Sequence, residues 1–336
     1  MMDVLLASLF DYVLFLAKTL TIVLAGVALI MLALRSRSSD SGSEELEIID
    51  LNEHYRELTT ALKTASLAPK ALKAFRKADR RRDQARLHAA ADSPDKRLFI
   101  IDFNGDIRAS DVAALRVLVT ALLLEAQPSD AVLVRLDNAG GMVSEHGLAA
   151  AQLARLRAHG IALTVAVDKI AASGGYLMAC VADRIIAAPF AILGSIGVLA
   201  ELPNFHRLLE RHGVDFELHT AGENKRTLTL FGENTEAGRR KLQAQLTDTH
   251  QLFQTFVTTY RPQLEMTRVA TGDHWHGTQA LELGLIDDIQ TSDDFLLAAY
   301  PDWQLLKLNY TVRKKALERI LASIQATIDH WLITWR

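Results

Sequence analysis

Cysteine occurs once in the 336 residues, at Cys180, so no intrachain disulfide is possible and the fold must stand on its core. Cys180 lies among Met178, Ala179 and Val181 and reads as a small buried hydrophobe. A surplus of charge is lacking as well: the formal net charge is −3, which gives no case for nucleic acid as a partner. No Walker-type or dinucleotide glycine fingerprint occurs, so no cofactor is implied. His274 and His276 alternate about Trp275, but no carboxylate or cysteine stands at metal-ligand spacing from them, and no zinc site is expected. Nothing basic precedes Lys18; the start carries Asp3 and Asp11 instead, which excludes the basic start of a cleaved signal peptide.

Beyond its acidic start the chain turns apolar. Residues 13–34 hold Lys18 as their only charge, long enough to cross a bilayer core of about 30 Å, with Lys18 near one end where its stem can snorkel. Residues 1–34 are therefore read as an uncleaved membrane anchor. Residues 35–43 (RSRSSDSGS) form a flexible linker. Residues 52–66 are amphipathic, with Tyr55, Leu58 and Leu62 on one side of a helix. Residues 70–97 then carry ten Lys/Arg against four Asp/Glu. Such a run is a solvated helix face, a flexible connector or a contact for anionic headgroups beside the anchor. Region 35–97 reads as one linking and basic helical segment. Its charge bears on topology, since the positive-inside rule puts the large domain beyond it in the cytoplasm.

Residues 98–310 read as the chemical domain. Apolar runs at 98–103 (LFIIDF), 131–136 (AVLVRL), 161–167 and 184–187 alternate with helical patterns at 109–124 and 145–159. Near-continuous apolar strands separated by helices argue for an α/β fold with a parallel sheet covered by helices. Residues 185–202 are hydrophobic enough to suggest a second span, but Pro189, Gly194 and Gly197 interrupt them, and they read as core strands and loop. Residues 277–287 read as a short helix ended at Gly284 and a return strand. The last segment, 311–336, repeats apolar residues at three and four positions (Leu317, Ile320, Leu321, Ile324, Ile328), giving an amphipathic helix. It packs on the body, on a neighbouring subunit, or at the membrane interface with Trp331 and Trp335 at the headgroups.

The stretch that organises the rest is 165–200, VAVDKIAASGGYLMACVADRIIAAPFAILGSIGVLA. A strand breaks at Ala171-Ala172-Ser173-Gly174-Gly175, and a helical run continues from Tyr176 to Ala182. A hydroxyl at that break stands at a helix N-terminus, where free N–H groups and the helix dipole favour negative charge. A Gly-rich strand exit of this kind is also an ordinary turn. Three further blocks give it weight: Asp137-Asn138-Ala139-Gly140-Gly141-Met142 upstream, then Gly194-Ser195-Ile196-Gly197, then Thr220-Ala221-Gly222-Glu223-Asn224-Lys225-Arg226.

In residues, order and spacing these blocks resemble the signal peptide peptidase A/SohB family of serine–lysine membrane proteases. Ser195 and Lys225 lie 22 and 52 positions after Ser173, the family's intervals between nucleophile, orienting serine and base. The resemblance covers roughly residues 99–287. It implies a crotonase-like (ClpP-like) spiral of ββα units, with Ser173 as nucleophile, Lys225 as general base and Ser195 as the residue orienting the lysine. Its oxyanion hole falls on the backbone N–H groups of Gly141 and Gly174. It also implies a bacterial inner-membrane enzyme that cleaves signal-peptide remnants or other membrane-proximal peptides. The family's half-length members imply a homo-oligomer with active sites shared between neighbouring subunits, and membrane lipid around the anchor. The family's catalytic domains face the periplasm, against the positive-inside count, and the periplasm is the expectation adopted.

A serine hydroxyl is a poor nucleophile until a base takes its proton, and a lysine can do so only when burial brings its pKa down from about 10.4. Departing from the family's Ser-Pro-Gly-Gly, this chain has Asn138-Ala139-Gly140-Gly141. Losing the proline removes a fixed φ but leaves both N–H donors. A Ser-His-Asp arrangement on this fold needs a histidine about 25 residues past the serine; residues 198–204 contain none. His206, His212 and His219 read as surface or packing residues. Lys169, four residues before Ser173, is an alternative base. The competing functions are a catalytically inactive crotonase-like membrane scaffold and a crotonase-type acyl-CoA enzyme.

Overall fold

The computed structural model describes residues 14–21, 44–92, 96–222 and 225–312. The chain divides into two compact units, Met1–Leu46 with Thr311–Arg336, and Glu47–Tyr310. Within the first unit, residues 14–21 are helical (α1). The rest of the expected membrane span, and the expected C-terminal helix beyond residue 312, lie outside the described residues. Among the described residues no helix is long and apolar enough to cross a membrane.

The second unit is an α/β body. Its elements begin with β1 (Glu44–Asp50), α2 (Leu51–Ser66), α3 (Pro69–Asp92), β2 (Arg97–Gly105), α4 (Val112–Glu125), β3 (Ala131–Asn138), α5 (Val143–Ala158) and β4 (Ala162–Val167). Two very short strands, β5 (Ile170–Ala172) and β7 (Ile192–Gly194), flank α6 (Gly174–Ala179) and β6 (Arg184–Ala187). Then come α7 (His206–Arg211), α8 (Glu236–Tyr260), α9 (Met266–Val269), β8 (His274–His276), α10 (Gly277–Glu282), β9 (Asp288–Ile289), α11 (Ser292–Ala299) and β10 (Gln304–Val312). The sheet order is β1-β10-β2-β3-β4-β6-β9, with β5 branching from β3 to β7 and β8. Pairings from β10 through β9 are parallel, whereas β7 and β8 run antiparallel, so the sheet is mixed.

The apolar runs form central strands because both faces of the sheet are covered. Alternate side chains point to opposite faces. Phe99, Ile101, Phe103, Val132, Val134 and Leu136 enter the larger core with Leu115, Val119, Leu153 and Leu156 of α4 and α5. Leu98, Ile100 and Leu133 enter a smaller core with Leu296 and Leu305, closed by Tyr55 and Trp303. Burying each such Leu or Ile fully contributes about 1.5–3 kcal/mol relative to exposure. Asn52 ties α2 to the C-terminal strand: its Oδ1 accepts from the Leu305 N–H at 2.7 Å and its Nδ2 donates to the Trp303 carbonyl at 3.0 Å. The expected apolar side of α2 is only partly used, since Tyr55 is half-buried while Leu58 and Leu62 are exposed.

The return segment closes the sheet much as the sequence suggests. Gly284 ends α10 with φ +74°, and the Leu285 N–H donates back to the Ala280 carbonyl at 2.8 Å. Asp287 then accepts from the Ile185 N–H at 2.7 Å and from Arg261 at 2.7 and 2.9 Å. Arg261 is itself buried and also donates to the Gly284 carbonyl at 3.2 Å. One guanidinium thereby pins the end of α8 to the junction of β6 and β9.

Candidate active site

Three parallel segments ending at one level build the site. Asn138 of β3 pairs with Ala171 of β5, and Ala172 of β5 pairs with Gly194 of β7. Ser173 and Ser195 are the next residues of β5 and β7, so they leave adjacent strands side by side. Each turns out of its strand with a left-handed backbone: Ser173 has φ 52° and ψ −118°, Ser195 has φ 51°. Among the described residues the only other non-glycine residue with positive φ is Ala109. Such corners cost of order 1–3 kcal/mol and persist where the surroundings hold them. Here the Ser173 N–H donates to the Gly194 carbonyl at 2.8 Å and the Ser195 N–H donates to the Asp273 carbonyl at 2.6 Å. Both serines are half-buried, neither sealed in nor fully open.

The glycine turn after β3 presses on this corner. Gly140 has φ +88°, and a Cβ there would lie 2.7 Å from Ser173 Cβ and 2.8 Å from Gly174 N, so only glycine fits. Gly141 comes next, against the Ile107 backbone, where the Met142 N–H donates to the Ile107 carbonyl at 2.8 Å. Among the described residues the N–H groups of Gly141 and Gly174 have no backbone or side-chain acceptor. Gly174 opens α6, so its free N–H is that of a helix start. The Gly174 N–H follows the strained serine directly, and Gly141 follows the glycine packed on that serine.

Lys225 is not brought to these serines by any hydrogen bond or ion pair among the described residues. It is exposed, and its N–H closes a turn on the Gly222 carbonyl at 3.1 Å. It belongs to a long arm, residues 197–232, in which no apolar side chain is buried among the described residues. Leu199, Leu202, Leu208, Val214 and Leu218 are all exposed there. The Phe231 ring lies against those of Phe205 and Phe216, with ring centroids 6.1 and 5.8 Å apart.

Lys169 makes a poor alternative base. Its Nζ lies 3.0 Å from Asp137 Oδ2, and that carboxylate raises the lysine above its ordinary pKa, which keeps the ammonium charged. His212 and His219 are exposed and His206 half-buried. His276 points Nδ1 at the Phe190 carbonyl at 3.3 Å, a local contact at the start of α10.

Two features of the site have no signature in the sequence. One is the pair of three-residue strands β5 and β7, too short to show a period. The other is His146, fully buried behind Gly174 and bonded to Asn138. Only the glycines around them hint that something large lies close by.

Two serines on left-handed corners of adjacent strands, the first opening a helix, suit a serine nucleophile. The family model described as "Peptidase family S49 N-terminal" matches residues 7–153, and that described as "Peptidase family S49" matches residues 155–305. The chain belongs to peptidase family S49 and is a serine peptidase. It is 44% identical over 319 residues to "Probable protease SohB" of Haemophilus influenzae, covering 92% of this chain and 90% of that one. To "Probable protease SohB" of Buchnera aphidicola subsp. Acyrthosiphon pisum it is 52% identical over 238 residues, 71% of each chain. A solved structure of a 1510-N membrane-bound stomatin-specific protease with a substrate peptide aligns over 68% of this chain and 98% of that chain, at 13% identity and TM-score 0.44.

Proposed function

We propose that this peptidase is a membrane-anchored endopeptidase using a Ser173–Lys225 dyad, with Ser195 orienting the lysine and the Gly141 and Gly174 N–H groups forming the oxyanion hole. The observation that carries this reading is the backbone of the two serines, paired corners on adjacent strands held in left-handed conformations. The neutral Lys225 amine takes the Ser173 proton as Oγ attacks the scissile carbonyl. The tetrahedral oxyanion points at the two N–H groups, and the protonated lysine returns its proton to the leaving amine. Water then attacks the acyl-serine by the same route in reverse.

The fold in this proposal is a crotonase-like spiral spanning 98–310, carried by an anchor in 1–34, a basic linking segment over 35–97 and a terminal helix over 311–336. Its place is a bacterial inner membrane with the peptidase domain on the periplasmic side. Its substrates are signal-peptide remnants or other membrane-proximal peptides. The exposure of Lys225 fits a homo-oligomer with shared sites: an ammonium in water is no base, and a neighbouring subunit covering the apolar arm would bury it and lower its pKa.

The test is cleavage of unstructured peptides by the detergent-purified full chain. Ser173→Ala and Lys225→Ala should each lower kcat by about ten-thousand-fold. Mixing the two variants, with subunit exchange confirmed separately, should restore activity by pairing the intact Ser173 of one with the intact Lys225 of the other. Cleavage indifferent to both substitutions overturns the dyad; a mixture that exchanges subunits and stays inactive overturns the shared site.

A further inference from the structure

Beneath the Ser173–Gly174 corner lies a polar pair that takes no part in the chemistry above. Asn138, the last residue of β3, is 1% exposed, and His146, in the first turn of α5, is 0% exposed. Burying two such side chains is costly unless their partners are correctly placed. Asn138 Oδ1 accepts from the Gly140 N–H at 2.8 Å and lies 3.1 Å from His146 Nε2. Asn138 Nδ2 faces the Met178 sulfur at 3.3 Å, a weak acceptor. His146 Nδ1 lies 3.0 Å from the Met142 carbonyl, which the His146 N–H already reaches at 3.1 Å. Because the Gly140 N–H fixes which end of the amide is oxygen, Nε2 bonds it only as a donor, and the Met142 carbonyl is the competing acceptor for a proton on Nδ1.

The glycines around the pair show how closely the corner rests on it. A Cβ at Gly174 would lie 2.5 Å from His146 Cγ, and one at Gly105 would lie 2.2 Å from Asn138 Cγ. Gly174 therefore sits directly against the imidazole. The other donor, Gly141, comes directly after a residue whose N–H is held by Asn138. Ala139 gives this turn no fixed φ of the kind a proline supplies. The Asn138 bond to Gly140 restrains it instead.

We propose that Asn138 and His146 act as one positioning unit that sets the separation and direction of the Gly141 and Gly174 N–H groups, through the hydrogen bond from His146 Nε2 to Asn138 Oδ1. The unit rests on the oxyanion-hole reading above. Neither residue touches substrate. His146 supports Gly174 from below, Asn138 holds the Gly140–Gly141 turn, and the bond between them keeps the two donors in register. Burial pushes the imidazole below its ordinary pKa despite the Met142 carbonyl and the nearby Asp106 and Glu145, so the neutral ring with one proton is the resident form.

The experiment compares His146→Leu, His146→Gln and His146→Asn in the full chain, using a peptide substrate and an aldehyde of the same peptide. The aldehyde adds Ser173 Oγ to its carbonyl and directs the resulting oxyanion at the same donors. Leu removes both ring contacts, the Gln amide nitrogen takes the place of Nε2, and the Asn amide nitrogen takes that of Nδ1. The Leu and Asn variants should lose about ten- to hundred-fold in kcat with KM within about two-fold. Their aldehyde inhibition constants should rise by the same factor, and Gln should recover most of the loss. Should the Leu variant fail to fold, the Gln and Asn variants decide the matter between them. Equal activity of Gln and Asn, or a rise in KM at unchanged kcat, overturns the positioning unit. Ser173→Ala runs alongside: full activity there overturns the site and the unit with it. Activity lost in Ser173→Ala but unmoved across the His146 series overturns the unit alone.

Discussion

Between residues 131 and 196 the chain buries most of its apolar side chains and fixes both serines by backbone hydrogen bonds; between 197 and 232 it buries none of its apolar side chains among the described residues. The first region is a platform: parallel strands, glycine turns packed against one another, and corners that are strained because their surroundings hold them. The second is an arm that carries Lys225, with its phenylalanines exposed and its leucines exposed or half-buried. The platform is tied together by hydrogen bonds within the chain, while the arm buries no apolar side chain among the described residues. In the proposed dyad, the nucleophile is ready in the isolated subunit and the base is not. Substitutions on the platform should therefore register in stability, and those on the arm should not.

The largest effect is expected where the platform is locked. Arg261→Ala leaves the partly buried Asp287 carboxylate without its guanidinium and removes the tie between α8 and the β6–β9 junction. The loss should be about 3–5 kcal/mol, the range for breaking a buried pair from one side. Urea melts followed by circular dichroism measure it. A change below about 1 kcal/mol would mean that the return segment is not what holds the platform closed.

Two left-handed glycines make a sharper comparison. Gly140 and Gly222 have φ +88° and +95°, so alanine is strained at both. Among the described residues the new Cβ at Gly222 meets nothing within 4 Å, whereas at Gly140 it meets Ser173 Cβ and the Gly174 backbone. Gly222→Ala should cost about 1 kcal/mol of stability. Gly140→Ala should cost roughly 2–3 kcal/mol and lower kcat about a hundred-fold by displacing the serine. Equal costs would mean that the platform corner can relax as freely as the arm.

That contrast also shows where the sequence was readable. Strands at 98–103, 131–136 and 184–187 were legible because a strand buried on both faces must be apolar along its length, and they are β2, β3 and β6 of the structure. The breaks at Ser173 and Ser195 were legible as turns. Their left-handed backbones were not, because Ser173 is held by Gly194 and Gly140 and Ser195 by Asp273, each from another part of the chain than the serine it holds. His146 was invisible for a similar reason: a lone histidine in Ser144-Glu145-His146-Gly147 has no periodic partner, and Asn138 lies in a different element. The exposure of Phe205, Phe216 and Phe231 on the arm likewise has no signature in the sequence.

Acid should distinguish the regions next. Burial pushes the Asp287 carboxyl up, but the Arg261 guanidinium, the Ile185 N–H and neighbouring positive charges outweigh it, and its pKa lies below the usual carboxylate range. Asp102 is held low in the same way by Arg135 and Lys307. A lowered folded-state pKa contributes stability above the unfolded value of about 3.9, and that stability is lost as pH falls through the folded value. The platform melting temperature should therefore decline gently below about pH 6.5, where the unfolded chain takes up the proton that buried His146 refuses, and drop more steeply below about pH 4. In Arg261→Ala the drop should be shallower, since Asp287 loses its main charged partner. An unchanged acid limb in that variant would assign the limb to other carboxylates.

The smallest expected effect on stability comes from the arm itself. Leu208 lies on α7, a six-residue helix with no buried residue, and is 52% exposed. Leu208→Ser removes apolar surface of which the chain leaves half open, so the melting curve of dilute protein should stay within about 1 kcal/mol of the parent. If a second subunit covers the arm, the same change weakens association, because apolar area buried between subunits drives it at about 25 cal/mol per Å². Sedimentation velocity across a concentration series reads this directly. The variant should populate smaller species at concentrations where the parent is assembled, and peptidase activity should fall with assembly. A variant that loses stability when dilute would show that Leu208 packs within its own chain. One that keeps both assembly and activity would show that the arm meets its partner through other residues.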